Sequence, residues 1–237
     1  NFSLIHDDIM DEAPLRRGKE TVHKKWDLNT GILSGDAMLI LAYQLFENYE
    51  PLMFSELAKL FSKTALQVCE GQQYDVDFET RMDVSITEYL KMIEYKTAVL
   101  LGAAMQMGAI VAEASDTCKQ NSYEFGKNIG IAFQLQDDYL DCFGDPENFG
   151  KQVGGDIISN KKTYLYLTAL SNCNEKDKKR LVKLFSESPK DSSQKIIEVK
   201  KLYLESGAAK QSLEEIANFT KKANTIIEKL NINKSNK

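Results

Sequence analysis

The stretch SYEFGKNIGIAFQLQDDYLDCFG, residues 122–144, decides the fold class of this chain. Its apolar residues recur at helical spacing along its length, and a Gly-Asp-Pro sequence ends it. Three further stretches show the same spacing, at residues 29–49, 53–79 and 85–114. The chain shows no strand-like alternation and no hairpin dipeptide. We therefore predict an all-α fold.

Two segments between the helices are predicted to be loops. Residues 15–27 are polar and basic and contain a glycine, and residues 145–163 are rich in glycine and charge. A connector as long as the second one is usually functional or disordered. Residues 1–11 have the pattern of a helix that ends near Pro14. Two or three amphipathic helices are expected beyond residue 163.

Length and composition indicate one domain over residues 1–237. The chain is 43% hydrophobic and has only 4 prolines, so long helices can build a single sizeable core. The first residues already follow a helical pattern, without a cap or a starting methionine. We therefore expect a single domain whose N-terminal helices are missing from this sequence.

Charge and cysteine use limit the possible functions. The formal net charge of −5 argues against generic nucleic-acid binding. No segment approaches 18 uninterrupted apolar residues, so no membrane span is predicted. The four cysteines are widely spaced and lack metal-site spacing. This pattern predicts free thiols in a reducing, cytoplasmic compartment.

Two acidic repeats interrupt otherwise apolar helices. They read DDIMD at residues 7–11 and DDYLD at residues 137–141. In each repeat the outer aspartates lie four residues apart and share a helix face, with the second aspartate at its edge. Carboxylates this close repel each other unless a cation lies among them, and all-oxygen ligands suit Mg²⁺ bound to substrate phosphates. A solvated acidic face is the alternative reading, but two copies favour metal motifs that face each other across one polyanion.

Basic residues follow each acidic motif closely. Arg16 and Arg17 come after the first, and Lys151 and Lys161 come after the second. Arginine binds phosphate oxygens through two parallel hydrogen bonds, whereas lysine acts as a point charge. The alternative is that these are surface charges, which we favour for Lys162 and for the lysines at positions 24 and 25.

These motifs together resemble those of the trans-isoprenyl diphosphate synthases, the polyprenyl synthetase family that makes farnesyl, geranylgeranyl and longer prenyl diphosphates. The resemblance is carried by LIHDDIMDEAPLRRGKETVHKKW (residues 4–26) and GIAFQLQDDYLDCFGDPENFGKQVGGDI (residues 130–157), with EYKTA (residues 94–98) between them. It implies antiparallel helices around a deep central cavity, the isoprenoid synthase fold, and a homodimer.

The resemblance also implies roles for individual residues. Both motifs would hold Mg²⁺, with three ions per active site, through Asp7, Asp8, Asp11, Asp137, Asp138 and Asp141. Residues that match those holding the allylic diphosphate are Arg16, Lys96 and Lys151. Arg17 matches a residue that holds isopentenyl diphosphate. The allylic cation would form beside Thr97, Gln134 and Lys161, which with Lys96 make up the predicted catalytic set.

The reaction implied by the resemblance is a head-to-tail condensation. The metal ions and cationic side chains would stabilise the departing diphosphate, so that the allylic C1–O bond ionises. The double bond of isopentenyl diphosphate then attacks the cation, and a proton is lost to the released diphosphate. Neither His6 nor His23 needs a catalytic role in this scheme. We expect His6 to pack or to border the pocket.

Product length is predicted from the helix that carries the first motif. Ser3 lies one turn before Asp7 and is small, whereas its neighbour Phe2 is large enough to stop a growing chain. This combination resembles that of some geranylgeranyl (C20) synthases. Deeper residues such as Met38 or Tyr43 are an alternative floor, so a farnesyl (C15) or longer product stays open.

Four other functions compete with this one. A terpene cyclase would carry an N-S-E-type second metal site, and a head-to-head condenser would not keep the LRRG and GGD sequences. A non-catalytic subunit of a heteromeric synthase tends to lose motif aspartates, and all six are present here. A helical scaffold has no reason to place these residues in this register.

Overall fold

Helices form where the apolar spacing predicts them. The computed structural model describes residues 2–145, 154–189 and 191–229. Within them the chain divides into two compact units, residues 1–59 and 60–237, with the division inside one long helix. The expected single domain over residues 1–237 stays a prediction.

The first unit contains short elements followed by one longer helix. In chain order these are α1 (Phe2–Met10), β1 (Leu15–Arg16), β2 (Lys19–Glu20), α2 (Val22–Lys25), α3 (Leu28–Gln44) and a 3₁₀ turn (Leu45–Asn48). Helix α4 (Pro51–Thr80) contains the division between the units.

The regular elements in the described part of the second unit are all helices. After α4 come α5 (Ile86–Ile93), a π-helix (Glu94–Ala98), α6 (Val99–Val111), α7 (Asp116–Phe143), α8 (Gly155–Ile158), α9 (Tyr164–Asn172), α10 (Glu175–Leu184), α11 (Ser193–Glu205) and α12 (Ala208–Lys229). The predicted connector at residues 145–163 therefore contains one helical turn, while its residues 146–153 lie outside the described part.

Side-chain caps set the starts of the main helices. Ser85 and Glu88 form a complete capping box at the start of α5, as the sequence predicts. The hydroxyl of Ser115 accepts a hydrogen bond from the backbone nitrogen of Cys118. Helix α7 therefore begins six residues before the predicted start at residue 122, because this cap lies upstream of the apolar pattern.

The core of the second unit forms around α7. Leu135 is 0% exposed and Ala98 is 0% exposed within one buried cluster that extends to α12. A Cβ at Gly130 would lie 2.5 Å from the Cα of Ala98, and one at Gly126 would lie 2.7 Å from the carbonyl oxygen of Leu101. Only glycine permits such close backbone contact, so α7 lies directly against the π-helix and α6.

The prediction of a plain loop at residues 15–27 is wrong. Leu15 pairs with Glu20 and Arg16 with Lys19 in a short antiparallel hairpin. Its two turn residues, Arg17 (φ 53°) and Gly18 (φ 74°), both have positive φ, as a type I′ turn requires. Arg-Gly is not a usual dipeptide for this turn, and strands of two residues are too short to show alternation.

The all-α prediction is confirmed, since these two-residue strands are the only strands in the described part of the chain. Within that part, no helix is both long enough and apolar enough to cross a membrane.

Candidate active site

The first acidic motif of unit one is already paired with a cation. Asp8 is buried at 5% exposure, and Arg16 Nε donates to its Oδ1 at 2.7 Å. A terminal nitrogen of the same guanidinium donates to Asp7 Oδ2 at 3.2 Å. Asp11 follows the last residue of α1 and is exposed. The planar guanidinium thus bridges two neighbouring carboxylates.

The hairpin holds Arg16 in this position. Thr21, which follows β2 and is 3% exposed, donates its hydroxyl to the carbonyl of Ala13 at 2.7 Å. Its backbone nitrogen donates to the carbonyl of Pro14 at 3.2 Å. Both bonds close the base of the hairpin against the end of α1. The turn then leaves the Arg17 side chain exposed.

Helix α1 packs closely on α3 within unit one. A Cβ at Gly35 would lie 2.2 Å from His6 Nε2, and that ring nitrogen is 3.1 Å from the carbonyl oxygen of Ile32. His6 is therefore a packing residue. Phe2 and Ser3 lie half-buried on the same helix, and their role in product length stays a prediction.

In unit two, the π-helix carries two of the predicted catalytic residues. Such local widening of a helix is frequent at functional sites. A Cβ at Gly71 of α4 would lie 2.2 Å from the backbone nitrogen of Lys96, so α4 and the π-helix make backbone contact. The Lys96 ammonium lies 2.7 Å from a carboxylate oxygen of Asp75. This partner holds the ammonium of Lys96 near α4.

A chain of hydrogen bonds links the π-helix to the second acidic motif. The hydroxyl of Thr97 donates to Gln134 Oε1 at 3.2 Å. Gln134 Nε2 donates to Asp138 Oδ1 at 3.1 Å. The hydroxyl of Tyr89 donates to Asp138 Oδ2. Asp138 therefore accepts a hydrogen bond from each of its two neighbours in this network, Gln134 and Tyr89.

Burial, and after it the negative charge of Asp156, raise the pKa of the Asp138 carboxyl to about 8. Burial also raises the pKa of Tyr89 well above its ordinary value, with the charge of Asp138 as the next cause. The phenol therefore stays protonated and acts as a hydrogen-bond donor. Both groups are almost inaccessible, at 7% and 2% exposure.

The last aspartate of the second motif contacts the glycine pair of the GGD sequence. Asp141 accepts a hydrogen bond at Oδ2 from the backbone nitrogen of Asp156 at 3.0 Å. Its carbonyl accepts from the backbone nitrogen of Gly154 at 2.6 Å. Gly154 has φ 88°, so the turn that brings this backbone to the motif favours glycine.

Lys161 and Lys162, which follow the GGD sequence, have different partners. Lys161 lies 4.0 Å from Asp156, and this ion pair joins an exposed lysine to a half-buried carboxylate. Lys162 donates to the carbonyls of Phe78 and Glu79 at 2.7 and 2.9 Å. It therefore binds the carbonyl end of α4 and is not a plain surface charge. Lys151, also predicted to hold the allylic diphosphate, lies outside the described residues.

The donor chemistry of both motifs fits Mg²⁺, because all the candidate ligands are carboxylate oxygens. Asp7 and Asp8 already accept from a cationic group, and Asp137 and Asp141 lie half-buried one turn apart on α7. Within the described ranges, no three His, Cys, Asp or Glu side chains converge closely enough to form a metal site.

Three residues of this site were missed by reading the sequence. Tyr89 and Asp75 contact predicted site residues, and Asp156 lies in the GGD sequence that the resemblance cites without assigning it a role. The spacing of Asp75 gives no signal, because its partner is 21 residues away in the chain.

Known proteins match this chain along most of its length. The polyprenyl synthetase family model matches residues 1–203. A short chain isoprenyl diphosphate synthase of Methanothermobacter thermautotrophicus is 39% identical over 85% of this chain and 62% of its own length. A geranylgeranyl diphosphate synthase of Methanosarcina mazei is 43% identical over 71% of this chain and 53% of its own length.

Solved structures agree with these matches. The crystal structure of a geranylgeranyl pyrophosphate synthase has a TM-score of 0.95 and 56% identity, and the match covers 99% of this chain and 72% of the other. A geranylgeranyl pyrophosphate synthetase from Pyrococcus horikoshii has a TM-score of 0.92 and 36% identity, covering 99% and 71%. The chain thus spans just over half to under two thirds of the two curated relatives described above.

Proposed function

The chain belongs to the polyprenyl synthetase family, and we propose that it is a trans-prenyltransferase. It condenses isopentenyl diphosphate with an allylic diphosphate, head to tail, and releases an all-trans prenyl diphosphate of 20 carbons. The observation that carries this proposal is the family match over residues 1–203, which includes both acidic motifs with all six aspartates intact.

The cationic residues bind the diphosphates. Arg16 offers a planar guanidinium beside the first motif, and Lys96 offers a point charge on the π-helix. Arg17 is exposed at the tip of the hairpin, where it can reach the diphosphate of isopentenyl diphosphate. Lys151 and Lys161 complete the basic set. These groups stabilise negative charge as it develops on the leaving diphosphate.

The motif aspartates hold Mg²⁺, with three ions per site as the proposed number. When bound, the ions withdraw charge from the leaving diphosphate. Asp7, Asp11, Asp137 and Asp141 are partly or fully accessible and are the residues best placed to serve as ligands. Thr97 and Gln134, which are hydrogen-bonded to each other at 3.2 Å, are the proposed neighbours of the allylic carbon on which positive charge develops.

The C20 product rests on Ser3 and on the names of similar proteins. Ser3 is small and half-buried one turn before Asp7. Its neighbour Phe2 is the proposed barrier to a longer prenyl chain. Several relatives at about 40% identity carry the name geranylgeranyl diphosphate synthase. A C15 product or a longer one is the alternative, and relatives named for farnesyl and geranylfarnesyl products also match.

We further propose that the protein is cytoplasmic and forms a homodimer. The large apolar side chains that unit one exposes support an assembly, among them Leu33 at 67% and Leu52 at 88% exposure. A non-catalytic subunit of a heteromeric synthase is the second alternative, and the complete set of motif aspartates disfavours it.

A product assay tests the proposal. The intact protein receives Mg²⁺, radiolabelled isopentenyl diphosphate and, in separate reactions, dimethylallyl, geranyl or farnesyl diphosphate. We expect a C20 alcohol after dephosphorylation, and a longer one from Phe2→Ala. A C15 limit would keep the reaction and refute the role of Ser3. Absence of elongation from every primer would refute the transferase proposal and favour the non-catalytic subunit.

A further inference from the structure

We propose that Asp138 and Tyr89 are positioning residues that fix the amide of Gln134 with its carbonyl oxygen towards Thr97, and that Asp138 is not a metal ligand. This inference rests on the proposed prenyl transfer. It gives the second aspartate of the DDYLD motif a different role from the one predicted by sequence, and it adds Tyr89 to the site.

The first step concerns the accessibility of Asp138. Its side chain is 7% exposed, and each carboxyl oxygen already has a protein donor, Tyr89 at Oδ2 and Gln134 at Oδ1. A hydrated Mg²⁺ retains several waters, and a buried carboxyl has no room for them. The flanking Asp137 and Asp141 are only half-buried, so they can reach a metal without any rearrangement of the core.

The second step concerns the direction of the Gln134 amide. An NH₂ group can only donate, and a carbonyl oxygen can only accept. In the structure Gln134 Nε2 faces Asp138 and donates to its Oδ1 at 3.1 Å. The carbonyl Oε1 is therefore turned the other way, where it accepts from the hydroxyl of Thr97 at 3.2 Å. Asp138 thus determines which end of the amide faces the π-helix.

The third step concerns Tyr89. Its ring is 2% exposed in the core between α5 and α7, and a buried phenol hydroxyl requires a partner. Asp138 supplies that partner from 49 residues away in the chain. The bond fixes the rotamer of Asp138, and Asp138 in turn fixes Gln134. Tyr89 therefore acts on the site through two other side chains.

The chemical consequence is electrostatic. An amide oxygen carries partial negative charge and stabilises a neighbouring cation, whereas an NH₂ group in the same place would oppose it. Under the proposed reaction, the allylic cation forms beside Thr97 and Gln134. A reversed amide would therefore slow ionisation and leave the binding of both diphosphates unchanged.

Asp138→Asn tests this directly, because the new NH₂ group can donate to Gln134 Oε1 and let the amide reverse. We expect kcat to fall on the order of tenfold to a hundredfold, with KM and the Mg²⁺ concentration for half-maximal rate within about twofold of wild type. Tyr89→Phe is expected to lower kcat by a smaller factor. Asp137→Asn is the matched control, and it should raise the Mg²⁺ requirement about tenfold or more.

A charge-conserving double variant provides the rescue. In Asp138→Asn with Gln134→Glu, the asparagine donates to one Glu oxygen and the other still accepts from Thr97. We expect this pair to recover most of the kcat that Asp138→Asn alone loses. Far-UV circular dichroism of each variant verifies that the helices form.

Calorimetric titration of Mg²⁺ in the presence of inorganic diphosphate separates this inference from the proposed function, because it needs no turnover. Binding weakened by Asp137→Asn and unchanged by Asp138→Asn supports the inference. Equal weakening by both variants, or no rescue by the double variant in an active enzyme, overturns it. A wild type that binds Mg²⁺ with diphosphate but elongates no primer overturns the proposed function instead.

Discussion

Gly71 of α4 lies directly against the backbone of Lys96, so that a Cβ at position 71 would come within 2.2 Å of the Lys96 nitrogen and 2.7 Å of the Tyr95 carbonyl carbon. Gly130 of α7 makes a similar contact with Ala98, the last residue of the π-helix. The π-helix is thus in close backbone contact with two glycines of two different helices. Lys96 and Thr97 are consecutive residues of this π-helix, and their side chains bond to Asp75 and Gln134 respectively.

Gly71→Ala is expected to displace the π-helix. Backbone atoms cannot move aside as a flexible side chain can, so we expect destabilisation on the order of 1–3 kcal/mol and a clear loss of activity. Gly108→Ala is the matched control, since a Cβ there meets nothing within 4 Å in α6. That variant should gain about 0.5–1 kcal/mol of stability. Chemical denaturation measures both, and equal effects would contradict the close-contact explanation.

Arg17→Gly should change stability and affinity in opposite directions. Arg17 adopts φ 53°, a left-handed conformation that costs a non-glycine residue roughly 1 kcal/mol. Glycine removes this strain, so thermal unfolding should occur at a higher temperature. It also removes the proposed ligand of isopentenyl diphosphate, so the KM for that substrate should rise.

Arg17→Lys is the control for that experiment, because it keeps both the charge and the strain. We expect it to raise KM less than glycine does and to leave the unfolding temperature unchanged. A glycine variant with unaltered KM would remove Arg17 from the substrate site.

Glu88 gives the protein a pH-dependent contribution to stability. Hydrogen bonds from the Ser85 backbone and hydroxyl, and then from Arg81, lower the pKa of Glu88 below 4.5. The ionised carboxylate is thus favoured by folding, so its contribution is complete above pH 4.5 and is lost as pH falls through the folded-state pKa.

Glu88→Gln should therefore lower the unfolding temperature at neutral pH, and the difference from wild type should shrink as the solution becomes acidic. Thermal scans across this pH range measure it. Glu205→Gln serves as the control, because among the described residues it removes an exposed ion pair with Lys201. A constant difference at all pH values would show that the charge of Glu88 is irrelevant.

Lys195 is a buried lysine that connects three segments of unit two. It is 4% exposed on α11, and its ammonium donates to Asn160 Oδ1 at 2.5 Å and to the carbonyl of Glu187 at 2.9 Å. Lys195→Met would leave both acceptors without a donor, so we expect a loss of about 1–3 kcal/mol in unfolding free energy.

Lys201→Met on the same helix is the matched control for Lys195, since Lys201 makes an exposed pair with Glu205 at 3.7 Å within the described part of the chain. Its effect should stay within about 0.5 kcal/mol. Equal losses in the two variants would mean that the contacts of Lys195 with Asn160 and Glu187 contribute nothing to stability.

Local sequence signals predicted the helices well because helix formation depends on residues a few positions apart. Ser85 with Glu88 marks the start of α5 in both the sequence and the structure. The hairpin at Arg17 and Gly18 escaped prediction, since the turn dipeptide is unusual and its strands have two residues each. The start of α7 was placed too late, because its cap at Ser115 precedes the apolar pattern.

The sequence by itself determined the all-α class, the two acidic motifs and the family. Each of these is written in the spacing of neighbouring residues. Tertiary structure decided the partners: Arg16 on Asp7 and Asp8, Asp75 on Lys96, and Tyr89 on Asp138. Such pairs join different elements, up to 49 residues apart within unit two. No periodic pattern encodes them, because they depend on where folded helices bury a polar group and which donor then satisfies it.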